Sequence, residues 1–157
     1  RESYYYECVG VNSRLDSIQA AILTIKLKYL DDYNTARLNA ANYYDKAFAS
    51  CEFLSTPSRS DQSTHVFHQY TLKLADGVDR DALEAHMQTK GIPVKVYYPK
   101  PLHSFIPYQQ ESHKENDFKV TKDLCARVIS LPMHTELDTQ TLAYISSSLL
   151  AFLKGVN

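Results

Sequence analysis

Glycine is scarce in this chain, with only four residues among 157. So few glycines exclude the glycine-rich loops of the GxGxxG and Walker types, which hold phosphate through closely approaching backbone amides. Tryptophan is absent, whereas tyrosine occurs 12 times. A nucleotide or phosphate would therefore be bound by side chains, or with the help of another polypeptide.

Cysteine is also scarce, and its three positions, Cys8, Cys51 and Cys125, are far apart and odd in number. This usage argues against a disulfide framework and predicts a reducing compartment, the cytoplasm. We expect neither a membrane span nor a signal peptide, because no apolar run has the required length or flanks. The formal net charge of -1 gives no basic surface, so neither nucleic acid nor an anionic membrane is an expected partner.

The first half of the chain is dominated by one helical pattern. From Leu15 to about Ser50 the apolar residues recur every three or four positions, which predicts a single helix over residues 15–50. At about 1.5 Å per residue this helix would be roughly 50 Å long. Ser13 and Asp16 have the spacing of a capping box at its start.

The rest of the chain alternates short strand patterns with helical ones. Strands are predicted over 65–75, 92–99 and 128–133, and helices over 80–90, 117–128 and 138–153. This order predicts an α+β fold, in which a small sheet is covered by helices on one face and is preceded by the long linking helix.

Metal and nucleophile chemistry receive little support from the sequence. His65 and His68 lie three residues apart on a predicted strand, so their side chains point to opposite faces. The other histidines considered as ligands lie in separate loops or turns: His103, His113 and His134. Three or four ligands would have to converge, so no metal site is expected. Cys125 lies on an apolar helical face, which favours a buried small hydrophobe over a catalytic thiol.

Two stretches each admit a structural and a functional interpretation. In "GVNSRLDSIQAAIL" (10–23), Asn12 and Ser13 either cap the helix, with Arg14 in a surface ion pair, or form an anion site with the helix-start amides. In "VYYPKPLH" (96–103), two phenols, a lysine and a histidine either pack together or line a site. The residues alone leave both alternatives open.

Four blocks in the same order resemble a known family. They are Asn-x-Arg-Leu-Asp-x-Ile-Gln-Ala-Ala (12–21), "HQYTLKL" (68–74), "RDALEAHMQTKGIPVKVYYPKPLH" (80–103) and "VISLPMH" (128–134). Together they resemble the C-terminal part of the DegT/DnrJ/EryC1/StrS sugar aminotransferases over essentially the whole chain. The resemblance implies the small domain of the aspartate-aminotransferase fold and the cofactor pyridoxal phosphate (PLP). It also implies a homodimer that transfers an amino group, usually from glutamate, to a keto carbon of a nucleotide-linked sugar.

The resemblance also implies roles for individual residues. Asn12 would bind the PLP phosphate of the neighbouring subunit. The substrate side would be approached by residues of the Asn-x-Arg motif, of the Tyr-Tyr-Pro loop and of the aromatic run near the start: Arg14, Tyr97, Tyr98, His103 and Tyr5.

One departure from the family pattern concerns the lysine that holds PLP. In the family this lysine lies upstream of the Asn-x-Arg motif, and residues 1–11 of this chain contain no lysine. Lys95 and Lys100 lie in a different block, and we expect neither to replace it. No catalytic residue is therefore expected in this chain.

These considerations lead to a three-part organisation. Residues 1–14 would come from the large-domain side, 15–50 would form the interdomain helix, and 51–157 would form the C-terminal small α+β domain. The chain would then be part of a longer enzyme and inactive alone. The alternatives are a non-catalytic α+β binding or assembly module, and a subunit whose partner chain supplies the lysine.

Overall fold

Helix α1 begins at Ser17, because Asp16 caps it. In the computed structural model, which describes residues 7–109 and 117–155, Gln19 N donates to the Asp16 carboxylate at 2.8 Å. Asp16 and Gln19 themselves have capping-box spacing. The predicted Ser13–Asp16 box is wrong by three positions, since the Ser13 hydroxyl donates to the backbone oxygen of Arg14 at 3.4 Å.

The helical pattern of the first half forms two α-helices joined by a tighter turn. Helix α1 spans Ser17–Lys26, a 3-10 turn spans Leu27–Tyr29, and α2 spans Leu30–Phe48. We call these three elements together the linking helix. Within the last turn of α1, the Thr24 hydroxyl donates to the carbonyl of Ala20 at 2.8 Å.

A three-stranded antiparallel sheet forms the centre of the second half. Its order is β1-β2-β3, with β1 at Leu54–Ser55, β2 at Tyr70–Leu74 and β3 at Val128–Leu131. Lys95 adds a single bridge at the free edge of β3, where its backbone exchanges hydrogen bonds of 3.1 and 2.7 Å with Ser130.

Helices α3 (Arg80–Thr89) and α5 (Thr139–Lys154) begin where the sequence predicts. Asp79 and Asp138 each accept backbone N–H bonds from the first turn of their helix, which satisfies otherwise unpaired donors. Gly91 follows α3 with a φ of 70°, a left-handed conformation that favours glycine.

The main core lies between one face of the sheet and helices α2, α3 and α5. Fully buried side chains from all of these elements meet there: Tyr44, Tyr70, Leu72, Leu83, Ile129 and Leu149. The alternation of β2, with Tyr70, Leu72 and Leu74 buried, places this apolar row on a single face. The predicted α+β class, with a long helix before a small helix-covered sheet, is confirmed.

The second face of the sheet is polar and carries helix α4 (Lys119–Arg127). The Lys73 ammonium pairs with Asp123 of α4 at 2.8 Å, and Arg127 pairs with the same carboxylate. These two cations lower the pKa of Asp123 to about 2. The helix predicted over 117–128 is therefore present, but it lies on the second face of the sheet and not on the same face as the other helices.

The predicted strand over 65–75 is wrong in its first half. The ring nitrogen Nδ1 of His65 accepts the N–H of Phe67 at 2.9 Å, and Phe67 has a φ of 46°. This local turn takes the chain out of the extended conformation, so pairing starts only at Tyr70.

The predicted strand over 92–99 is reduced to the single Lys95 bridge. Pro93 and Pro99 have no N–H to donate, and a residue before proline is restricted as well. The chain on either side of Lys95 therefore lacks backbone N–H groups that a longer strand pairing with β3 would need.

Arg59 attaches the loop between β1 and β2 to helix α2. Its guanidinium donates to Asn42 at 2.8 Å and to Asp45 at 2.5 Å, and it lies 4.7 Å from the centre of the Phe67 ring. Asp45 also accepts the hydroxyl of Tyr70 at 2.5 Å. One carboxylate therefore joins the helix, the loop and the central strand.

Replacing Asp45 by alanine should lower the free energy of unfolding by about 1–3 kcal/mol, because the hydroxyl of Tyr70 loses its acceptor in a buried place. Urea unfolding followed by circular dichroism measures this. Asp61→Ala, at an exposed aspartate of the same loop, is the control and should stay within about 0.5 kcal/mol. Equal effects of the two changes would contradict the role given to Asp45.

Candidate functional site

The segment Asn12–Arg14 is exposed and has no regular secondary structure. Over residues 7–109 and 117–155, neither the Asn12 amide nor the Arg14 guanidinium makes a side-chain hydrogen bond or ion pair. Val11, just before them, is 100% exposed. The segment therefore presents its polar groups away from the core of its own chain.

The first turn of α1 contributes less to an anion site than the sequence suggests. Because the Asp16 carboxylate accepts the N–H of Gln19, this amide is occupied and a negative charge lies at the helix start. The side-chain donors of the segment are the Asn12 amide and the Arg14 guanidinium, which suit the phosphate end of PLP. They do not suit its aldehyde end, because no lysine lies within residues 7–16.

Helix α1 is apolar and buries none of its residues. We call the apolar stripe the side chains of Leu15, Ile18, Ile22 and Ile25, which are 61%, 75%, 52% and 62% exposed. Beside it, Leu23, Leu27 and Leu30 line a groove of about 770 Å³ that Thr135 and Glu136 close on the other side. Contiguous exposed apolar surface of this kind marks an interaction surface.

A second group of predicted site residues lies in the loop after Lys95. The rings of Tyr97 and Tyr98 meet edge to face with their centres 5.8 Å apart, and the peptide bond between them is cis. His103 stacks on Phe118, beside the start of α4, with ring centres 4.5 Å apart. The structure brings these three predicted residues into one loop, and their roles toward a substrate stay predictions. Tyr5 lies outside the described residues.

Between this loop and α4 lies a pocket that the sequence did not reveal. It has a volume of about 390 Å³, and its walls come from loop residues and from two side chains of α4, Thr121 and Cys125. Cys125 is only partly buried, not the fully buried hydrophobe that we expected, and burial raises the pKa of its thiol. The four-residue spacing of Thr121 and Cys125 on one helix face was the available signal.

Of the two lysines considered as PLP carriers, Lys100 lines this pocket. Lys95 belongs to the bridge with Ser130, and the Lys100 ammonium lies 5.0 Å from the centre of the Phe105 ring. Neither belongs to the segment that carries Asn12. That neither holds PLP stays a prediction.

The histidines form local contacts. His65 and His134 each accept a backbone N–H two residues further along, at 2.9 and 3.2 Å. Within residues 7–109 and 117–155, no three His, Cys, Asp or Glu side chains come together as metal ligands could. His113 lies outside the described residues. In the same ranges, no helix has the length and apolarity that crossing a bilayer requires.

A long helix leading into a small helix-covered antiparallel sheet is an architecture that solved aminotransferases share over part of their length. The chain belongs to the DegT/DnrJ/EryC1/StrS aminotransferase family, which matches residues 1–150. The UDP-N-acetyl-3-dehydro-α-D-glucosamine 3-aminotransferase of Acidithiobacillus ferrooxidans is 34% identical over 156 residues, which are 98% of this chain and 40% of that protein.

Solved structures agree with this assignment. DesV of S. venezuelae has a TM-score of 0.81 and 29% identity, over 97% of this chain and 40% of that one. A Streptococcus pneumoniae protein solved in its PLP form has a TM-score of 0.81 over 92% of this chain and 37% of that one. At 19% identity the latter likeness shows the fold alone. The chain spans about two fifths of the length of the curated relatives that it matches.

Isoleucines of the apolar stripe should contribute almost nothing to the stability of this chain. Ile18→Ala should change the free energy of unfolding by less than about 0.5 kcal/mol, because Ile18 is 75% exposed. The matched change Ile145→Ala, at a residue 3% exposed, should cost about 2–5 kcal/mol. Urea unfolding compares the two. A cost of more than about 1 kcal/mol for Ile18→Ala would mean that α1 packs on this chain after all.

Proposed function

We propose that this chain supplies the small domain and linking helix of a PLP-dependent aminotransferase that aminates a keto group of a nucleotide-linked sugar, with glutamate as donor. The observation that carries the proposal is the position of the donors Asn12 and Arg14, which have no side-chain partner within the described residues, directly before the apolar stripe. Donors for a phosphate and a surface for docking lie side by side, and both face away from the chain's own core.

Asn12 has the chemistry to hold the phosphate of PLP in a neighbouring subunit. Its side-chain amide donates an N–H to a phosphate oxygen, and a donor aimed at an anion forms a stronger bond than one between neutral groups. Arg14, two residues further along, adds a positive charge on the substrate side. When bound, PLP supplies the electron sink that amino transfer requires.

The residues of the Tyr97–His103 loop act on the substrate side. Tyr98 and His103 present a phenol and an imidazole from a segment held by the Lys95 bridge at one end and by the contact with Phe118 at the other. Groups held in this way orient a sugar with little further loss of conformational freedom.

The apolar stripe docks on the part of the enzyme that carries the PLP lysine. The four residues of the stripe are each more than half exposed, and leaving this apolar area in water costs free energy that docking on another surface would recover. The assembly we propose is a homodimer, so that Asn12 of one subunit reaches the cofactor of the other. A free-standing binding module would need a polar surface here, and the stripe argues against it.

A fusion tests the role of Asn12. The N-terminal part of the A. ferrooxidans relative, which this chain does not cover, would be joined to this chain and assayed for PLP retention and amino transfer. Asn12→Ala should weaken PLP binding by about 10- to 150-fold, the equivalent of about 1.5–3 kcal/mol for a lost bond to a charged group.

The control for this variant is Asn39→Ala, at an exposed asparagine of α2. It should leave PLP affinity as it is in the unmodified fusion. Unchanged affinity in Asn12→Ala would overturn the assignment of Asn12, whereas a fusion that folds and binds PLP but aminates no keto sugar would overturn the proposed reaction.

A further inference from the structure

The loop between β1 and β2 curves around a pocket, which we call the serine pocket. Its lining includes four hydroxyl side chains, one guanidinium and one imidazole: Ser58, Ser60, Ser63, Thr64, Arg59 and His65. Its volume of about 500 Å³ lies within the range of about 300–1,000 Å³ that is common for ligand pockets. The pocket shares no residue with the Asn12–Arg14 segment, the apolar stripe or the Tyr97–His103 loop. A ligand bound here would therefore be additional to those of the proposed function.

The hydroxyl groups of the serine pocket can still donate hydrogen bonds. Within residues 7–109 and 117–155, the hydroxyls of Ser58, Ser63 and Thr64 form no hydrogen bond. The hydroxyl of Ser60 accepts the backbone N–H of Gln62 at 3.1 Å, which leaves its own O–H available as a donor. These four hydroxyl residues of the lining are all exposed. The pocket therefore offers hydroxyl donors that the described parts of the chain do not use.

The imidazole of His65 adds one more donor. Its Nδ1 atom accepts the backbone N–H of Phe67 at 2.9 Å, and a ring nitrogen that accepts carries no proton. The proton of this ring is therefore on Nε2. The ring also stacks on that of Phe67 with the ring centres 4.1 Å apart, which restricts its rotation. The Nε2–H group thus belongs to a ring of fixed orientation in the wall of the pocket.

Arg59 supplies the positive charge of the serine pocket. Its guanidinium directs one N–H to Asn42 and another to Asp45, at 2.8 and 2.5 Å. Because a guanidinium has five N–H donors, three of them remain for a ligand. The charge of Asp45 is itself shared, since this carboxylate also accepts the hydroxyl of Tyr70 at 2.5 Å. A second anion can therefore bind Arg59 while the bond to Asp45 is kept.

The balance of donors and acceptors favours an oxyanion over a neutral sugar. Among the described residues that line the pocket, there is no carboxylate and no side-chain amide. A sugar hydroxyl needs an acceptor as well as a donor, whereas the terminal oxygens of an ionised phosphate ester only accept. Hydrogen bonds to an anion are also stronger than those between neutral groups. Asp61, the carboxylate of the same loop, is exposed and does not line the pocket.

We propose that the serine pocket binds a phosphate group, held by the guanidinium of Arg59 and the Nε2–H of His65. The free hydroxyls of Ser63 and Thr64 complete the contacts with its oxygens. Inorganic phosphate and a phosphate monoester share this chemistry, and the volume of about 500 Å³ leaves room for a small esterified group. The inference does not rest on the proposed function, because PLP retention by the Asn12 fusion uses none of these residues. Either can fail without the other.

The test is a titration of the 157-residue chain with inorganic phosphate, followed by the backbone amide NMR signals of the loop. A parallel titration with sodium chloride at equal ionic strength accounts for charge screening alone. We expect saturable shifts at Ser60, Ser63 and His65 with phosphate, and at least about tenfold weaker binding of chloride. Absence of saturation, or equal affinity for chloride, would overturn the proposal.

A variant of His65 removes the donor and keeps the turn. In His65→Asn the side-chain oxygen can still accept the N–H of Phe67, as Nδ1 does, but the Nε2–H is lost. Phosphate binding should weaken by about tenfold, the effect of a lost hydrogen bond to a charged group. The control is His68→Asn, at an exposed histidine outside the lining, and it should bind phosphate normally. Equal affinities in these two variants would overturn the assignment.

Variants of Arg59 test the charge. Arg59→Gln should weaken phosphate binding by at least about tenfold, whereas Arg59→Lys keeps the charge and should restore part of the affinity. Because Arg59 also attaches the loop to α2, the double variant Ser63→Ala/Thr64→Val removes two contacts without touching that attachment. Phosphate binding that stays unchanged in both Arg59→Gln and the double variant would place the anion elsewhere and overturn the proposal.

A competition with glycerol 3-phosphate identifies the source of the phosphate group. Displacement of inorganic phosphate with at least about tenfold higher affinity would assign the serine pocket to a phosphate monoester. Equal or lower affinity would assign it to the free anion. The same displacement in His68→Asn, and its weakening in His65→Asn, would place both ligands in this pocket. Displacement that His65→Asn does not weaken would contradict that placement.

Discussion

Both α-helices of the linking helix carry apolar side chains, and this chain buries those of α2 but not those of α1. Helix α2 buries Ala40, Ala41, Tyr44 and Phe48 in the main core, whereas α1 buries none of its residues. A 10-residue helix is shorter than the about 12–15 residues at which isolated helices become marginal in water. The order of α1 therefore depends on its continuity with α2 and on the surface that covers its stripe. That surface is where we place the PLP-bearing part of the enzyme.

The order of the elements was predictable because each one carries its own local signal. Asp79 and Asp138 are recognisable as the N-caps of α3 and α5, and Gly91 marks the end of α3. The predicted start of α1 is misplaced because Ser13 and Asp16 have the same three-residue spacing as Asp16 and Gln19, and it is the N–H of Gln19 that bonds to a capping side chain. Two possible caps with the same spacing cannot be distinguished from the sequence, because the choice depends on which backbone N–H the capping side chain reaches in the folded chain.

The strand boundaries depended on contacts that a residue pattern does not encode. His65 to Phe67 reads as β-branched and aromatic, yet one ring nitrogen takes a backbone N–H and turns the chain. The role of Arg59 was equally hidden, since its partners Asn42 and Asp45 lie in a different element. Of the site, the polar segment and the tyrosine loop could be located by their resemblance to a family. The pocket could not, because its walls come from segments about 20 residues apart that meet only in the fold.

The central claim is that this chain contributes a phosphate-binding asparagine and a docking surface, and that it does not contribute the lysine that carries PLP. The most direct measurement is to incubate the purified 157-residue chain with PLP, reduce with borohydride and record the intact mass. We expect no stoichiometric adduct. A single stable adduct that peptide mapping places on Lys95 or Lys100 would contradict it, and would make this chain a PLP-binding protein in its own right.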